Sequence, residues 1–276
     1  MKSLYFSLLL TLALSSSILY AQTPPTITSV VDPYTGGTKL APGGRAVITG
    51  TNLGLGGLVT VGGVNAFNIV SPQFGPTMTI QIPWTAQLGT TVPVVITTGA
   101  GASPAFNIAL VQYAPVLIST PSGSLTSPRH GNGVGVTSTT PAAPGEQITF
   151  YAIGLGPVVT IPNTGALAPG NTDSTTTTPT VTFGANAAVN ASVSRLANGQ
   201  SFFGANAPSG LVGSTQASIG IYLVTTTVPA GTAAGSYLVS ISIGGASSNS
   251  VSVAVGPAPT GPVISAIVGE SGNTAL

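Results

Sequence analysis

One phrase is written twice in this chain, 102 residues apart (41 to 143): Ala41-Pro42-Gly43, an alternating run and Gly50-Thr51-Asn52-Leu53-Gly54 return as Ala143-Pro144-Gly145, a second run and Ala152-Ile153-Gly154-Leu155-Gly156. A unit repeated at about domain length points to tandem modules, each with its own core, rather than to one enzyme built around one cleft.

The repeated unit is a β unit. Ala46, Ile48 and Gly50 alternate with Val47 and Thr49, the period of a half-buried strand, and Ile148, Phe150 and Ala152 do the same in the second copy. The 37 glycines and 23 prolines punctuate the chain too often for long helices, whereas short strands joined by turns accept both. Disordered chains share that punctuation but are poor in Val, Ile and Thr, which abound here. The expectation is an all-β chain.

Within it, the first 21 residues follow export grammar: Lys2, an apolar stretch centred on Leu8 to Leu14, and Leu19-Tyr20-Ala21 before Gln22. This reads as a signal peptide, residues 1–21, cleaved after Ala21. The stretch is interrupted by Ser7, Thr11 and Ser15 to Ser17 and is short for a bilayer span. The chain has no cysteine to carry a lipid or a disulfide, so each module must hold by burial and hydrogen bonding.

The first module covers residues 22–113. Its strands follow Ile27 to Val31, Ala46 to Gly50, Val59 to Val61 and Met78 to Ile82, the last stopped by Pro83; a hairpin pairs Val92, Val94 and Ile96 with Phe106, Ile108 and Leu110. The second module, residues 114–256, repeats that order: Val181 and Phe183 answer Val59 and Val61, Pro229 answers Pro83, and the closing hairpin joins Val239, Ile241 and Ile243 to Val251, Val253 and Val255. On its opposite face Ser240, Ser242, Ser250 and Ser252 form an uncharged, hydroxyl-rich surface that faces water or a neighbouring molecule. Three long connections, Ser119 to Ala142, Pro157 to Pro179 and Leu196 to Ser218, read as surface cover or mobile segments, or as functional loops. Residues 257–276 are a Pro-rich tail. Gly261 to Val268 is similar to Pro25 to Val31, so the tail is either an accidental match or the start of a truncated third module.

Val47 to Gly54 followed by Val59 to Gly63 resembles the signature of the IPT/TIG domain. The second module, through Ile148 to Gly156, Thr180 to Gly184, Ile221 to Gly231 and Ile243 to Asn249, is similar to an uncharacterised repeat near the C-termini of exported acidobacterial-type proteins. The resemblance implies two tandem immunoglobulin-like β-sandwiches; it carries no catalytic signature that could be transferred.

Inventory excludes much chemistry. Only 3% of residues are charged; without Lys2 the chain sets Lys39, Arg45, Arg129 and Arg195 against Asp32, Glu146, Asp173 and Glu270. Four scattered cations cannot line a phosphate-binding groove, so nucleic acid is not an expected partner. With no cysteine and one histidine, His130, neither a thiol nucleophile nor a multi-histidine metal site can be assembled; no metal and no cofactor are expected. His130 could act as a general base, yet Ser127 to Gly131 reads as an exposed loop and its histidine as solvated. Arg45 and Glu146, near strand starts, are expected in water.

No catalytic residue is therefore expected, and the chain reads as no enzyme. Trp84, Phe202 and Phe203 are the candidate ligand contacts, each equally able to stabilise its own domain; Tyr34, Tyr113 and Tyr222 share that ambiguity. The leading expectation is a secreted or envelope protein serving as a structural, adhesive or assembly module, with a surface protein, a polysaccharide or a second copy as partner. A carbohydrate-binding accessory is the alternative, and a hydrolase using His130 a third reading.

Overall fold

A computed structural model describes residues 23–54, 57–71, 75–119, 128–168, 174–186, 189–196 and 218–257. Residues 1–21, Phe202, Phe203 and the possible third module at 262–276 lie outside them.

The chain is all-β; the described residues form twenty strands in four sheets that are antiparallel apart from one two-residue pair. In the first half, β1 (Thr26–Val31), β3 (Arg45–Thr51), β7 (Thr77–Gln81) and β6 (Phe67–Val70) lie in that order in one sheet. The facing sheet runs β2 (Lys39–Leu40), β10 (Phe106–Leu110), β8 (Gly89–Thr98), β4 (Leu58–Val61) and β5 (Val64–Asn65), with β9 (Gly101–Ala102) beside β8. Ala46 and Ile48 from one sheet and Val61, Val94 and Ile96 from the other are fully buried in a shared core. The alternation read from the sequence thus becomes the inner face of a sandwich.

The second half repeats the plan. One sheet orders β11 (Val116–Leu117), β13 (Gln147–Ile153), β17 (Tyr222–Thr227) and β16 (Ser192–Arg195), with β12 (Arg129–His130) against β13. The other orders β15 (Val189–Asn190), β14 (Thr180–Phe183), β18 (Gly235–Ile243) and β19 (Ala246–Ser247), with β20 (Val251–Val255) against β18. Phe150, Phe183, Tyr222, Val239 and Val253 meet in its core. The layout is consistent with tandem immunoglobulin-like sandwiches.

The equivalence extends to the backbone. Gly43 N–H donates to Ile82 at 3.0 Å and Gly145 N–H to Val228 at 2.9 Å; Val111 N–H donates to Leu40 and Gly256 N–H to Ala142, both at 2.8 Å. Each sandwich therefore ends beside its own Ala-Pro-Gly turn, where the chain leaves it.

Two expectations need correction. Arg129 and His130 form a strand rather than a loop, paired with Thr149 and Ile148. The cores are not independent either. Trp84, from the first half, belongs to the apolar cluster of the second. Tyr34 packs on a third cluster, formed by Val116, Ile118, Tyr151, Ile153, Leu196 and Ile221 on the outer face of the β11–β13–β17 sheet.

Candidate functional site

The junction between the halves gathers most of the polar side chains that the sequence left unexplained. It is built where the first Ala-Pro-Gly turn meets the second Gly-Leu-Gly turn. Gly43 and Gly154 have φ of 75° and 70°, left-handed values that glycine adopts without strain. A Cβ on Gly44 would stand 3.5 Å from the Gly154 Cα, so two backbones from different sandwiches touch; a Cβ on Gly154 itself would meet the Ala114 carbonyl oxygen at 2.0 Å. Bare backbone on both sides is what permits this approach.

Arg45 follows that turn at the start of β3. Far from sitting in water, it is 3% exposed, and its Nε donates to the Ile219 carbonyl of the second half at 2.5 Å. Tyr34 stands against the guanidinium. Burial raises the Tyr34 hydroxyl pKa, with Arg45 working the other way, and burial lowers that of Arg45. Beside Arg45 in the ladder, Gln81 is fully buried; its amide donates to the Gly43 carbonyl and its oxygen accepts from Gly165 N–H at 2.7 Å. Gly165 belongs to the Pro157 to Pro179 connection. That connection is thus part of the junction, with Thr164 Oγ1 also accepting from Trp84 N–H at 3.4 Å.

Trp84 is 6% exposed. Its ring lies over Gly43, where a Cβ would fall 2.3 Å from it, and under the Arg195 guanidinium, 5.9 Å from the ring centroid. Arg195 also donates to the Ala166 carbonyl. The indole presents no open face, only a rim in a groove of about 310 Å³ shared with Pro42, Leu88, Gln112 and Ile161. Leu88 and Ile161 flank that groove, 52% and 57% exposed.

On the other side of the linker lies a larger cleft, about 640 Å³, bordered by Asp32, Lys39, Tyr113, Pro115, Ser247 and Asn249. Much of its polarity is already used. Asp32 accepts from the N–H groups of Tyr34, Thr35 and Gly37 and from the Thr35 hydroxyl, and Asn249 bonds both backbone groups of Leu117. Tyr113 Oη meets Thr177 Oγ1 at 2.8 Å, and Tyr222 is fully buried, donating to the Gly156 carbonyl.

His130 sits away from the junction, beside the second Ala-Pro-Gly turn. Its Nδ1 lies 2.5 Å from Glu146 Oε1 and its Nε2 3.0 Å from the Thr140 carbonyl, so as imidazolium it donates at both ends. Among the described residues neither nitrogen faces a hydroxyl nucleophile. Glu146 in turn accepts from Ala143 N–H. Neither side chain is free in water: their side-chain exposures are 15% and 28%. Among the described residues no three His, Asp or Glu side chains converge.

No family model matches the chain, and no curated protein matches it. Solved structures do resemble it. SGBP-B of the mixed-linkage glucan utilization locus of Bacteroides ovatus, in complex with a mixed-linkage heptasaccharide, is 15% identical at a TM-score of 0.37, over 86% of this chain and 46% of that one. The extracellular region of plexin A4 is 14% identical at 0.30, over 87% and 16%. Domains 5–6 of the S-layer protein SbsC are 16% identical at 0.27, over 84% and 98%. The chain spans less than half the length of the glycan-binding proteins it resembles. In this range of identity and TM-score, shared ligands or partners do not follow.

Proposed function

We propose that this chain is a non-enzymatic exported protein, a structural, adhesive or assembly module of the cell exterior or envelope, in which two IPT/TIG-type sandwiches are held at a fixed angle. The observation that carries the reading is Arg45. A buried cation that donates across the junction to a backbone carbonyl ties the orientation of one sandwich to the other, since turning either would leave a charged donor without that acceptor. Interfaces between modules are mobile by default unless well packed, and this one adds Trp84, Gln81 and Tyr34 to the same contact.

The absence of cysteine makes the test direct. Spin labels at Thr60→Cys and Thr182→Cys, one in each sandwich, should report one narrow distance distribution; a broad one would refute a rigid pair. Labelled full-length protein should also be retained on native envelopes, and failure to bind any envelope fraction would remove the adhesive role.

A second reading, a carbohydrate-binding accessory, is favoured by the uncharged groove at the Trp84 rim. Polysaccharide that entered it would change Trp84 emission. An unchanged spectrum across a broad glycan panel would end that reading.

A further inference from the structure

The cleft of about 640 Å³ beside the linker has three walls: the Asp32 turn with Lys39 from the first sandwich, Tyr113 to Val116 of the linker, and the hairpin turn from Gly245 to Asn249 of the second. Every residue that borders it is described, as are the neighbours of each in sequence. Its volume lies within the roughly 300–1,000 Å³ of small-molecule sites.

The side-chain acceptors of this cleft are spent. Asp32 Oδ1 accepts from the N–H groups of Tyr34 and Thr35, and Oδ2 from Gly37 N–H and the Thr35 hydroxyl, which fills the roughly four lone-pair sites of an ionised carboxylate. Asn249 Oδ1 accepts from Leu117 N–H, and Tyr113 Oη is bonded to Thr177. The donors are not spent. A side-chain amide carries two N–H donors, and that of Asn249 gives one to the Leu117 carbonyl. Thr38 and Ser247 are exposed, and their hydroxyls make no hydrogen bond among the described residues. Among the described cations Arg45, Arg129 and Arg195 each have partners, whereas Lys39 enters no hydrogen bond, ion pair or ring contact.

We propose that this cleft binds a saccharide carrying a single carboxylate, as in a uronic acid, with Lys39 pairing the carboxylate and Thr38, Ser247 and Asn249 meeting sugar hydroxyls. Hydroxyls both donate and accept, which matches them to sugar hydroxyls in either direction. Pro115, Val116 and Ala246 supply apolar surface for the C–H face of a ring. A phosphate dianion fits less well, because the Asp32 carboxylate borders the same space and repels a second negative charge. The site is separate from the groove at the Trp84 rim. It rests on the fixed angle proposed above, since its walls belong to different sandwiches.

Amide NMR titration of the intact protein with trigalacturonate, set against neutral galactotriose, tests this. Trigalacturonate should shift Thr38, Lys39, Ser247 and the Asn249 side-chain amide, with an affinity that falls as salt is raised. Lys39→Met, at an exposed position, should leave the melting temperature unchanged and weaken binding about tenfold. Lys39→Arg should restore most of it. Unaltered affinity in Lys39→Met, or equal affinity for galactotriose, would overturn the inference. Shifts confined to the Trp84 indole N–H would overturn it as well, while leaving the carbohydrate reading of that groove in place. Absence of any shift with trigalacturonate would also overturn it, whereas the glycan panel decides the wider carbohydrate reading and the spin labels decide the fixed angle.

Discussion

At the scale of single residues, glycine and histidine carry the sharpest consequences. Gly154→Ala places a methyl against the Ala114 carbonyl at a left-handed backbone position, so it should cost more than the roughly 1–3 kcal/mol of backbone strain alone. Asn52→Gly, at the corresponding exposed position, should change stability by less than about 1 kcal/mol. Chemical denaturation of both variants checks the contrast. For the ionic pair, the hydrogen bond to Glu146 raises the His130 pKa, burial opposes it and the Thr140 carbonyl assists. Burial alone would raise Glu146, but Ala143 N–H and His130 outweigh it and the pKa is lowered. The His130 contribution is complete below its ordinary 6.5 and fades as pH rises through the raised value; that of Glu146 is complete above its ordinary 4.5 and fades as pH falls through the lowered one. The melting-temperature difference between native protein and His130→Gln should thus peak between those two pH values and shrink on both sides; a flat difference would contradict the pairing. None of this was readable in the sequence. His130 lies among Ser, Pro and Gly, the neighbours of a loop, and its partner Glu146 comes sixteen residues later, just before β13.

Strands were the legible level. The period-2 runs of β3, β8, β13, β18 and β20 are the inner faces of the sandwiches because apolar alternation and burial in a two-layer fold have the same period. What alternation could not disclose is that β13 has two dry faces: Phe150 points into the sandwich while Tyr151 and Ile153 join the cluster capped by Tyr34. An outer residue next to another module looks, in sequence, like an outer residue next to water. Phe150→Ala should therefore cost about 3–5 kcal/mol, whereas Leu238→Ser, on a strand face that is 66% exposed at that residue, should stay within about 0.5 kcal/mol. Thermal unfolding followed by circular dichroism separates the two. The connections behaved differently. The Pro157 to Pro179 segment has the composition of a surface loop, yet Gly165 bonds Gln81 across the junction, a contact set by the meeting of modules rather than by local sequence.

For the whole molecule, the contacts across the junction lead us to expect that the two sandwiches unfold as one unit. Calorimetry of the native protein should show a single transition. Arg45→Met, which removes a charged donor but keeps much of the apolar stem, should cost about 1.5–3 kcal/mol and split that transition in two; a single transition in the variant would mean that Arg45 does not couple the halves. The sequence hid this coupling because Arg45 and Ile219 stand 174 residues apart and because an arginine at a strand start ordinarily faces solvent. The repeat itself held a clue, in the mismatch of Gly44 and Arg45 with Glu146 and Gln147, since positions that differ between copies mark where the copies have different neighbours. Trp84 adds a consequence in time. The chain emerges from its N-terminus, and the Arg195 guanidinium that lies over the indole emerges much later. Until it arrives, the first sandwich carries a tryptophan with one face uncovered, adhesive to whatever is nearest, and the pace at which the chain emerges sets how long that hazard lasts.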